Sequence, residues 1–169
     1  MKTISRVLAS LILVATAGVA SAQTAAAQPK FYGEVGYLPL NIKFSDGSKV
    51  TPNLVRGVVG TEINDNLAAE GSLGLTLSKD DGVSATTVGA FLKPKYAITK
   101  DAEVFARIGV TRTSLGGEGT GSMTKAAYGF GAQMEINKDV YGQVDYMHYG
   151  KDAAGSTVRG FTVSIGTRF

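Results

Sequence analysis

The chain has 169 residues and a formal net charge of +3, a length that fits one domain. It contains no cysteine, which excludes a disulfide framework, a cysteine-based zinc site and a thiol nucleophile. No run of eighteen apolar residues occurs, and the sequence therefore predicts no membrane-spanning helix.

The first residues have the pattern of a secretory signal peptide. Lys2 and Arg6 are positively charged, an apolar stretch follows over 7–19, and the tripeptide Ala-Ser-Ala lies at 20–22. A basic start, a short apolar segment and an Ala-x-Ala site are typical of a cleaved export signal. The apolar stretch is too short to remain in a bilayer as a spanning helix.

Three segments are predicted on this basis: a signal peptide over 1–22, a short periplasmic segment over 23–29, and one domain over 30–169. Loss of Lys2 and Arg6 would lower the net charge from +3 to +1. No cluster of basic residues in the sequence indicates binding to nucleic acid. An exported chain without an apolar helix can still enter a membrane as a closed β-barrel.

Within the predicted domain, apolar residues recur with a period of two, as in β-strands. In the last segment Phe161, Val163 and Ile165 alternate with Thr162 and Ser164. Alternation over about ten residues is typical of a strand in a membrane barrel. Eight such strands are predicted, over 30–42, 53–63, 67–78, 84–98, 102–113, 123–136, 140–150 and 160–169. The predicted fold class is all-β, an eight-stranded antiparallel up-and-down transmembrane barrel.

Each predicted strand has one nearly uncharged apolar face and one face of charged, polar and glycine residues. Eight apolar faces exceed what the interior of so small a barrel can hold, so they are expected to contact lipid. The charged faces then point inward. The inward-facing charges are expected to be Glu34, Glu62, Glu70, Glu103, Glu135, Asp145, Arg56, Lys93, Lys95, Arg107 and Arg168.

The connections between the predicted strands alternate in length. Tight polar turns rich in Asn and Asp are predicted at 64–66, 99–101 and 137–139. Longer, looser links are predicted near 43–51, 79–83, 114–122 and 151–156. Short turns belong on the periplasmic side of a membrane barrel, which would leave both termini in the periplasm. Pro94 cannot donate to a strand ladder, so a bulge or a strand end is expected there.

Several short motifs have a familiar arrangement. They are GTEINDNL at 60–67, PKYAI at 94–98, the Phe105-x-x-x-Gly109 spacing, YGFGA at 128–132, VDY at 144–146 and the terminal Phe169. As a set these resemble the OmpA/OmpX type of small outer-membrane barrel over nearly all of 30–169. The resemblance implies an eight-stranded, monomeric barrel in the outer membrane of a Gram-negative bacterium, with a filled interior. It also implies contact with outer-membrane lipids, including lipopolysaccharide, and with periplasmic chaperones and the outer-membrane assembly machinery during biogenesis.

His148, the only histidine, is the first candidate for catalysis. Lipid A deacylases of similar size use a His with a Ser two residues later, where this chain has Gly150, so a nucleophile is missing. We expect His148 to lie in an interfacial aromatic girdle beside Tyr146 and Tyr149. The glycine-rich segment 115–122 lacks the Gly-Lys-Ser/Thr ending of a phosphate-binding loop and is expected to be a surface loop. No catalytic residue, metal site or cofactor is predicted.

The inward charges nearly balance and are expected to pair, because an unpaired buried charge is costly. The expected pairs are Glu103 or Glu135 with Arg107, and Glu70 with Lys93 or Lys95. Such a plug predicts a non-enzymatic integral outer-membrane protein with a role in envelope integrity or surface interactions. The alternative is a small channel or transporter for ions or small apolar molecules.

Overall fold

The computed structural model describes residues 30–117, 121–151 and 155–169. The predicted signal peptide (1–22) and the segment 23–29 lie outside the described residues, as does the centre of the glycine-rich loop at 118–120. In the part of the chain that is described, no helix is long and apolar enough to cross a membrane.

The described chain is built from β-strands. They are β1 (Phe31–Lys43), β2 (Lys49–Val50), β3 (Asn53–Asn64), β4 (Leu67–Ser78), β5 (Ser84–Ala97), β6 (Ala102–Gly116), β7 (Gly121–Glu135), β8 (Val140–Lys151) and β9 (Thr157–Arg168). The two-residue strand β2 folds back on the end of β1. The other eight strands are the predicted ones, with every boundary within three residues of its predicted position.

The eight long strands close into a barrel. Each pairs antiparallel with its neighbours in sequence, and β1 also pairs with β9, from Tyr32 opposite Arg168 to Lys43 opposite Thr157. Because the first and last strands pair, the sheet has no free edge along its wall. The predicted eight-stranded antiparallel barrel is therefore confirmed.

The two faces of the wall differ as the alternation predicted. Outward-facing Ile108 and Phe130 are 60% and 68% exposed, whereas inward-facing Arg107 is 2% exposed. Val163 and Thr162 in β9 show the same contrast, at 54% and 0%. The apolar faces therefore form the outer surface and the charged faces line the interior.

One end of the barrel, here called the turn end, carries both described chain ends and the three short turns. In two of these turns an asparagine side chain accepts backbone bonds: Asn64 Oδ1 from the N–H of Asn66 (2.9 Å), and Asn137 Oδ1 from the N–H groups of Asp139 (3.0 Å) and Val140 (2.9 Å). Such Asx turns reverse the chain within a few residues. The predicted short turns at 64–66, 99–101 and 137–139 are confirmed.

The opposite end, here called the loop end, holds the remaining connections. The link between β1 and β3 includes a turn at 44–48, where Ser48 donates to Asp46 Oδ1 from its N–H (2.9 Å) and its hydroxyl (2.7 Å). These bonds hold the pKa of Asp46 below its ordinary value.

The link at 79–83 has the predicted bounds but is tighter than predicted. Asp80 and Val83 exchange both backbone hydrogen bonds, at 3.2 and 2.8 Å, around Asp81 and Gly82. Both central residues have positive φ, 45° and 73°, as a two-residue hairpin turn requires. The prediction of a loose link here is wrong because the Asp-Gly pair forms a tight turn.

The predicted bulge or strand end at Pro94 is also wrong. Pro94 lies inside β5, and the register with β6 is the same on both sides of it, from Leu92 opposite Ile108 to Lys95 opposite Phe105. The N–H of Lys95 points toward β4, so the position where Pro94 lacks an N–H faces β6. Pairing between β5 and β6 is interrupted at residues 93 and 94 but resumes in the same register. The register is kept because proline removes only one hydrogen bond of the ladder.

Candidate functional site

The predicted inward-facing charges lie in the interior of the barrel, which is the candidate site. Arg107 of β6 lies at the centre of this interior. Its Nε donates to Glu70 Oε2 (2.5 Å) and its Nη1 to Asp145 Oδ2 (2.9 Å). Its Nη2 donates to Glu34 Oε2 and Glu70 Oε1, both at 3.0 Å. One guanidinium therefore joins carboxylates from three other strands, β1, β4 and β8.

Two more cations complete this central cluster. Arg56 of β3 forms a bidentate pair with Asp145, and its Nη1 also lies 3.4 Å from the hydroxyl of Tyr149. Lys93 of β5 lies 3.3 Å from a carboxylate oxygen of Glu34 and 3.3 Å from one of Glu70. With three acids and three bases, all at most 6% exposed, the central cluster is neutral overall.

Polar side chains satisfy the remaining carboxylate oxygens and the lysine. The Tyr32 hydroxyl donates to Glu70 (2.8 Å), and the Tyr141 hydroxyl donates to Glu34 (3.0 Å). Lys93 Nζ also donates to Gln133 (3.1 Å) and Gln143 (3.0 Å). Because every charge has several partners, the central cluster is a connected network rather than a set of isolated pairs. Within it, Arg56 Nε is buried without a hydrogen-bond partner among the described residues.

Glycines in the wall make room for the large side chains inside. A Cβ on Gly60 would lie 2.2 Å from Cζ of Tyr32, and a Cβ on Gly166 would lie 2.3 Å from Cζ of Tyr141. The strand glycines at these positions therefore allow close packing inside the barrel.

A second, smaller set of ion pairs lies toward the turn end. Lys95 Nζ lies 2.6 Å from Glu62 Oε2 and 3.9 Å from Glu103 Oε2. Arg168 Nη1 lies 2.7 Å from Glu135 Oε1. All eleven predicted inward charges are thereby paired within the interior or at its rim.

The loop-end half of the interior is mostly apolar. Its buried hydrophobic side chains are Leu38, Leu40, Ile42, Val50, Leu54, Val83, Ala85, Phe91, Ala127, Met147, Tyr149 and Val158, here called the apolar plug. The plug was not predicted from the sequence. The sequence of β1 does indicate the plug. Leu38, Leu40 and Ile42 have the same inward phase as Glu34, which lies nearer the turn end.

A very small space lies between the central cluster and the plug. It is a cavity of about 10 Å³, bordered by Arg56, Arg107, Met147 and Tyr149 among others. This volume accommodates about one water molecule. On either side of this cavity the interior is filled by the side chains of the central cluster and of the plug. Among the described residues, no group of three or more His, Asp or Glu side chains is placed to hold a metal ion.

Comparison with known proteins identifies the family. Residues 10–169 match the model of the outer membrane protein beta-barrel domain. The chain belongs to this family. No curated protein matches the chain. The predicted resemblance to small OmpA/OmpX-like barrels is confirmed.

Solved structures share the fold of this outer-membrane barrel at low identity. Ail, the attachment invasion locus protein of Yersinia pestis, is 18% identical with a TM-score of 0.60, covering 85% of this chain and 100% of Ail. The N-terminal β-barrel domain of Pseudomonas aeruginosa OprF is 14% identical with a TM-score of 0.61, over 84% and 100%. Neisserial surface protein A is 18% identical with a TM-score of 0.60, over 82% and 95%.

The predicted charge pairs of this outer-membrane barrel are only partly correct. The pair of Glu70 with Lys93 is confirmed. The pairing of Arg107 with Glu103 or Glu135 is wrong, because Glu103 lies four residues nearer the turn end on the same strand, about 13 Å away along β6. Side chains pair across the interior when they lie at the same level along the barrel axis. The tilt of the strands determines which residues share a level.

His148 lies on the outer wall, as expected, but with different neighbours. Its ring centroid is 5.0 Å from that of Tyr128, on the adjacent strand β7. Tyr146 also faces outward, 38% exposed, whereas Tyr149 is 2% exposed and belongs to the apolar plug. The prediction that Tyr149 flanks His148 in a girdle is therefore wrong, because residues 148 and 149 have opposite phases in β8.

Proposed function

We propose that this protein is a non-enzymatic structural component of the outer membrane, a sealed barrel that contributes to envelope integrity. The observation that supports this best is the interior itself. The neutral central cluster fills the middle of the barrel and the apolar plug fills the loop-end half. An eight-stranded barrel has an interior just wide enough for such side chains.

The surroundings of His148 favour a role without catalysis. Its ring packs on Tyr128, and the position two residues on is Gly150, which offers no nucleophile. General base catalysis needs a proton donor within hydrogen-bond reach of the histidine. The orientation that we propose places the turn end in the periplasm and the loop end outside the cell, as in other barrels with short turns and longer loops.

A deletion strain tests the proposed role. We expect loss of the gene to increase sensitivity to detergents, and a plasmid copy to restore resistance. The plasmid-borne protein should fractionate with the outer membrane and should change its gel mobility on boiling, because a closed barrel resists detergent until heated. The proposal would be contradicted if the deletion strain were as resistant to detergents as a wild-type strain whose outer membrane contains abundant protein.

A further inference from the structure

The small cavity between the central cluster and the apolar plug has a partly polar wall. Its volume is about 10 Å³. The polar side chains that border it are Arg56, Glu70, Ser72, Arg107 and Tyr149, and apolar side chains complete the wall. Polar groups in a protein interior are costly unless they form hydrogen bonds. The wall therefore favours a ligand that can bond with these groups.

Arg56 brings to this cavity a donor that no carboxylate uses. Its Nη1 donates to Asp145 Oδ1 (2.9 Å) and its Nη2 donates to Asp145 Oδ2. Its Nε has no hydrogen-bond partner among the described residues, although the side chain is only 4% exposed. A buried donor without an acceptor is costly, and more so on a charged group. A ligand that accepts a hydrogen bond from Arg56 Nε is therefore favoured.

Tyr149 and Ser72 supply hydroxyl groups from two other strands, β8 and β4. The Tyr149 hydroxyl accepts a hydrogen bond from Arg56 Nη1 at 3.4 Å and can donate its own hydrogen. Ser72 has the same inward phase on β4 as Glu70, which lies two residues earlier. A serine hydroxyl can both accept and donate. The cavity thus offers a second donor beside Arg56 Nε, and a hydroxyl acceptor.

Glu70 supplies a further acceptor. Its Oε2 accepts from Arg107 Nε at 2.5 Å, and a carboxylate oxygen has a second lone pair for another bond. The wall therefore offers two donors, on Arg56 and Tyr149, and two acceptors, on Ser72 and Glu70. Buried water molecules typically form about three hydrogen bonds, within a range of about two to four. The number and mixture of groups match such a molecule.

Size and charge decide the class of ligand that the cavity can hold. A volume of about 10 Å³ corresponds to about one water molecule, so a polyatomic organic ligand does not fit. A monatomic cation would contact Arg56 and Arg107, and a halide would contact the Glu70 carboxylate. Either ion would also add an unpaired charge to a buried cluster of three acids and three bases, which is costly. A small uncharged molecule that both donates and accepts fits this wall.

We infer that the cavity binds one water molecule, which accepts hydrogen bonds from Arg56 Nε and the Tyr149 hydroxyl and donates to Ser72 and Glu70. Bound in this way, the water gives the last donor of Arg56 a partner and joins the central cluster to Tyr149 of the apolar plug. It is part of the filling of the interior, because the central cluster and the plug lie on either side of it. The inference rests on the fold and goes beyond the proposed function.

Two measurements on the purified, folded protein test the inference. One is a crystal structure at a resolution that shows ordered water. The other is nuclear magnetic resonance of the protein in micelles, which follows magnetisation transfer from water to the arginine Nε–H groups. Arg107 is the internal control, because its Nε donates to Glu70 instead. Ser72→Val replaces the hydroxyl with methyl groups that fill the space. Thr113→Val is the matched control, because Thr113 is also buried but does not border the cavity.

We expect the parent and Thr113→Val to hold one water molecule within hydrogen-bond distance of Arg56 Nε. Both should show magnetisation transfer from water to Arg56 Nε–H and none to Arg107 Nε–H. Ser72→Val should lose both the ordered water and the transfer. Ser72→Ala, which removes one acceptor without filling the space, should keep the water.

Three results would overturn the inference. They are a folded parent with neither a water nor magnetisation transfer at Arg56 Nε, the same water in folded Ser72→Val, and anomalous scattering at the site after bromide is soaked into the crystals. The last result would indicate an anion as the ligand. Heat-modifiable mobility shows whether each variant is folded, and the two measurements on the parent decide even if Ser72→Val does not fold.

Discussion

The two halves of the barrel interior are filled by opposite chemistry. From the middle of the barrel toward the turn end, Arg107 and its carboxylate partners form a network in which each charge has several hydrogen bonds. Toward the loop end, Leu38 and its neighbours fill the space with apolar atoms. The narrow bore is thus filled in two ways, by a network of ion pairs and by apolar packing.

The two seals should respond differently to mutation. A buried ionic network is destabilised strongly when one partner is lost, because the remaining charges stay buried and uncompensated. An apolar plug loses stability in proportion to the cavity created. Substitutions in the central cluster, in the apolar plug and on the barrel surface measure how the loss of stability differs among these regions.

The largest effect is expected for Arg107→Ala. The change leaves Glu34, Glu70 and Asp145 with one cationic partner fewer, and we expect a loss of about 3–5 kcal/mol in the free energy of unfolding. Urea titration of the protein in liposomes, followed by gel mobility, measures it. The barrel should still not conduct ions, because the apolar plug is intact. A variant as stable as the parent would show that the central network does not stabilise the fold.

A somewhat smaller effect is expected for Leu38→Ala in the apolar plug. Leu38 is fully buried, and its Cδ1 occupies the space beside Gly160, where a Cβ would lie 2.4 Å away. Truncation should cost about 2–5 kcal/mol, toward the lower end if neighbouring side chains collapse into the cavity. The same urea titration measures the change. An unchanged unfolding midpoint would mean that the loop-end interior is loosely packed.

The outer wall provides the next comparison. Val163→Arg places a charge in the lipid and should cost about 2–4 kcal/mol near the bilayer midplane. Thr162→Arg, one residue away, instead forces a long side chain into a filled interior, since Thr162 is 0% exposed. The yield of heat-modifiable protein after folding into liposomes measures both. Folding of Val163→Arg with the parent's yield and stability would contradict the register of β9.

The smallest effect is expected where an ion pair is fully accessible to solvent. Lys100 and Asp101 lie 3.6 Å apart in a turn, with side chains 90% and 55% exposed. Lys100→Ala should change the free energy of unfolding by less than about 1 kcal/mol, because solvent screens such pairs. A loss comparable to that of Arg107→Ala would show that burial does not set the difference between the two pairs.

Sequence alone predicted the fold well because a membrane barrel repeats one local rule. Period-two alternation places each residue on one face of its own strand, so all eight strands and the inward charges were correct. Partners across the interior depend on tilt and stagger between strands, which no single strand encodes. For this reason the ion pair of Glu70 with Lys93 was predicted correctly, whereas the predicted partners of Arg107 were wrong.

The apolar plug was missed for a different reason. Leu38 and Val35 lie on opposite faces of β1, yet both are apolar. In this part of the strand the alternation of apolar and polar residues therefore does not show which face points inward. The assumption that every inward face is polar then hid the change of chemistry along the strand. The change is nevertheless encoded in β1, because Leu38, Leu40 and Ile42 continue the inward phase of Glu34.

Electrical recording from the folded parent protein tests the central claim, that the interior is sealed, most directly. In planar bilayers the protein should show no steady single-channel steps, and liposomes that contain it should not swell in small sugars. Both results follow from an interior filled by the central cluster and the apolar plug, with a cavity of about 10 Å³ between them. Reproducible conductance steps from clean, heat-modifiable parent protein would contradict the seal and would favour the channel alternative.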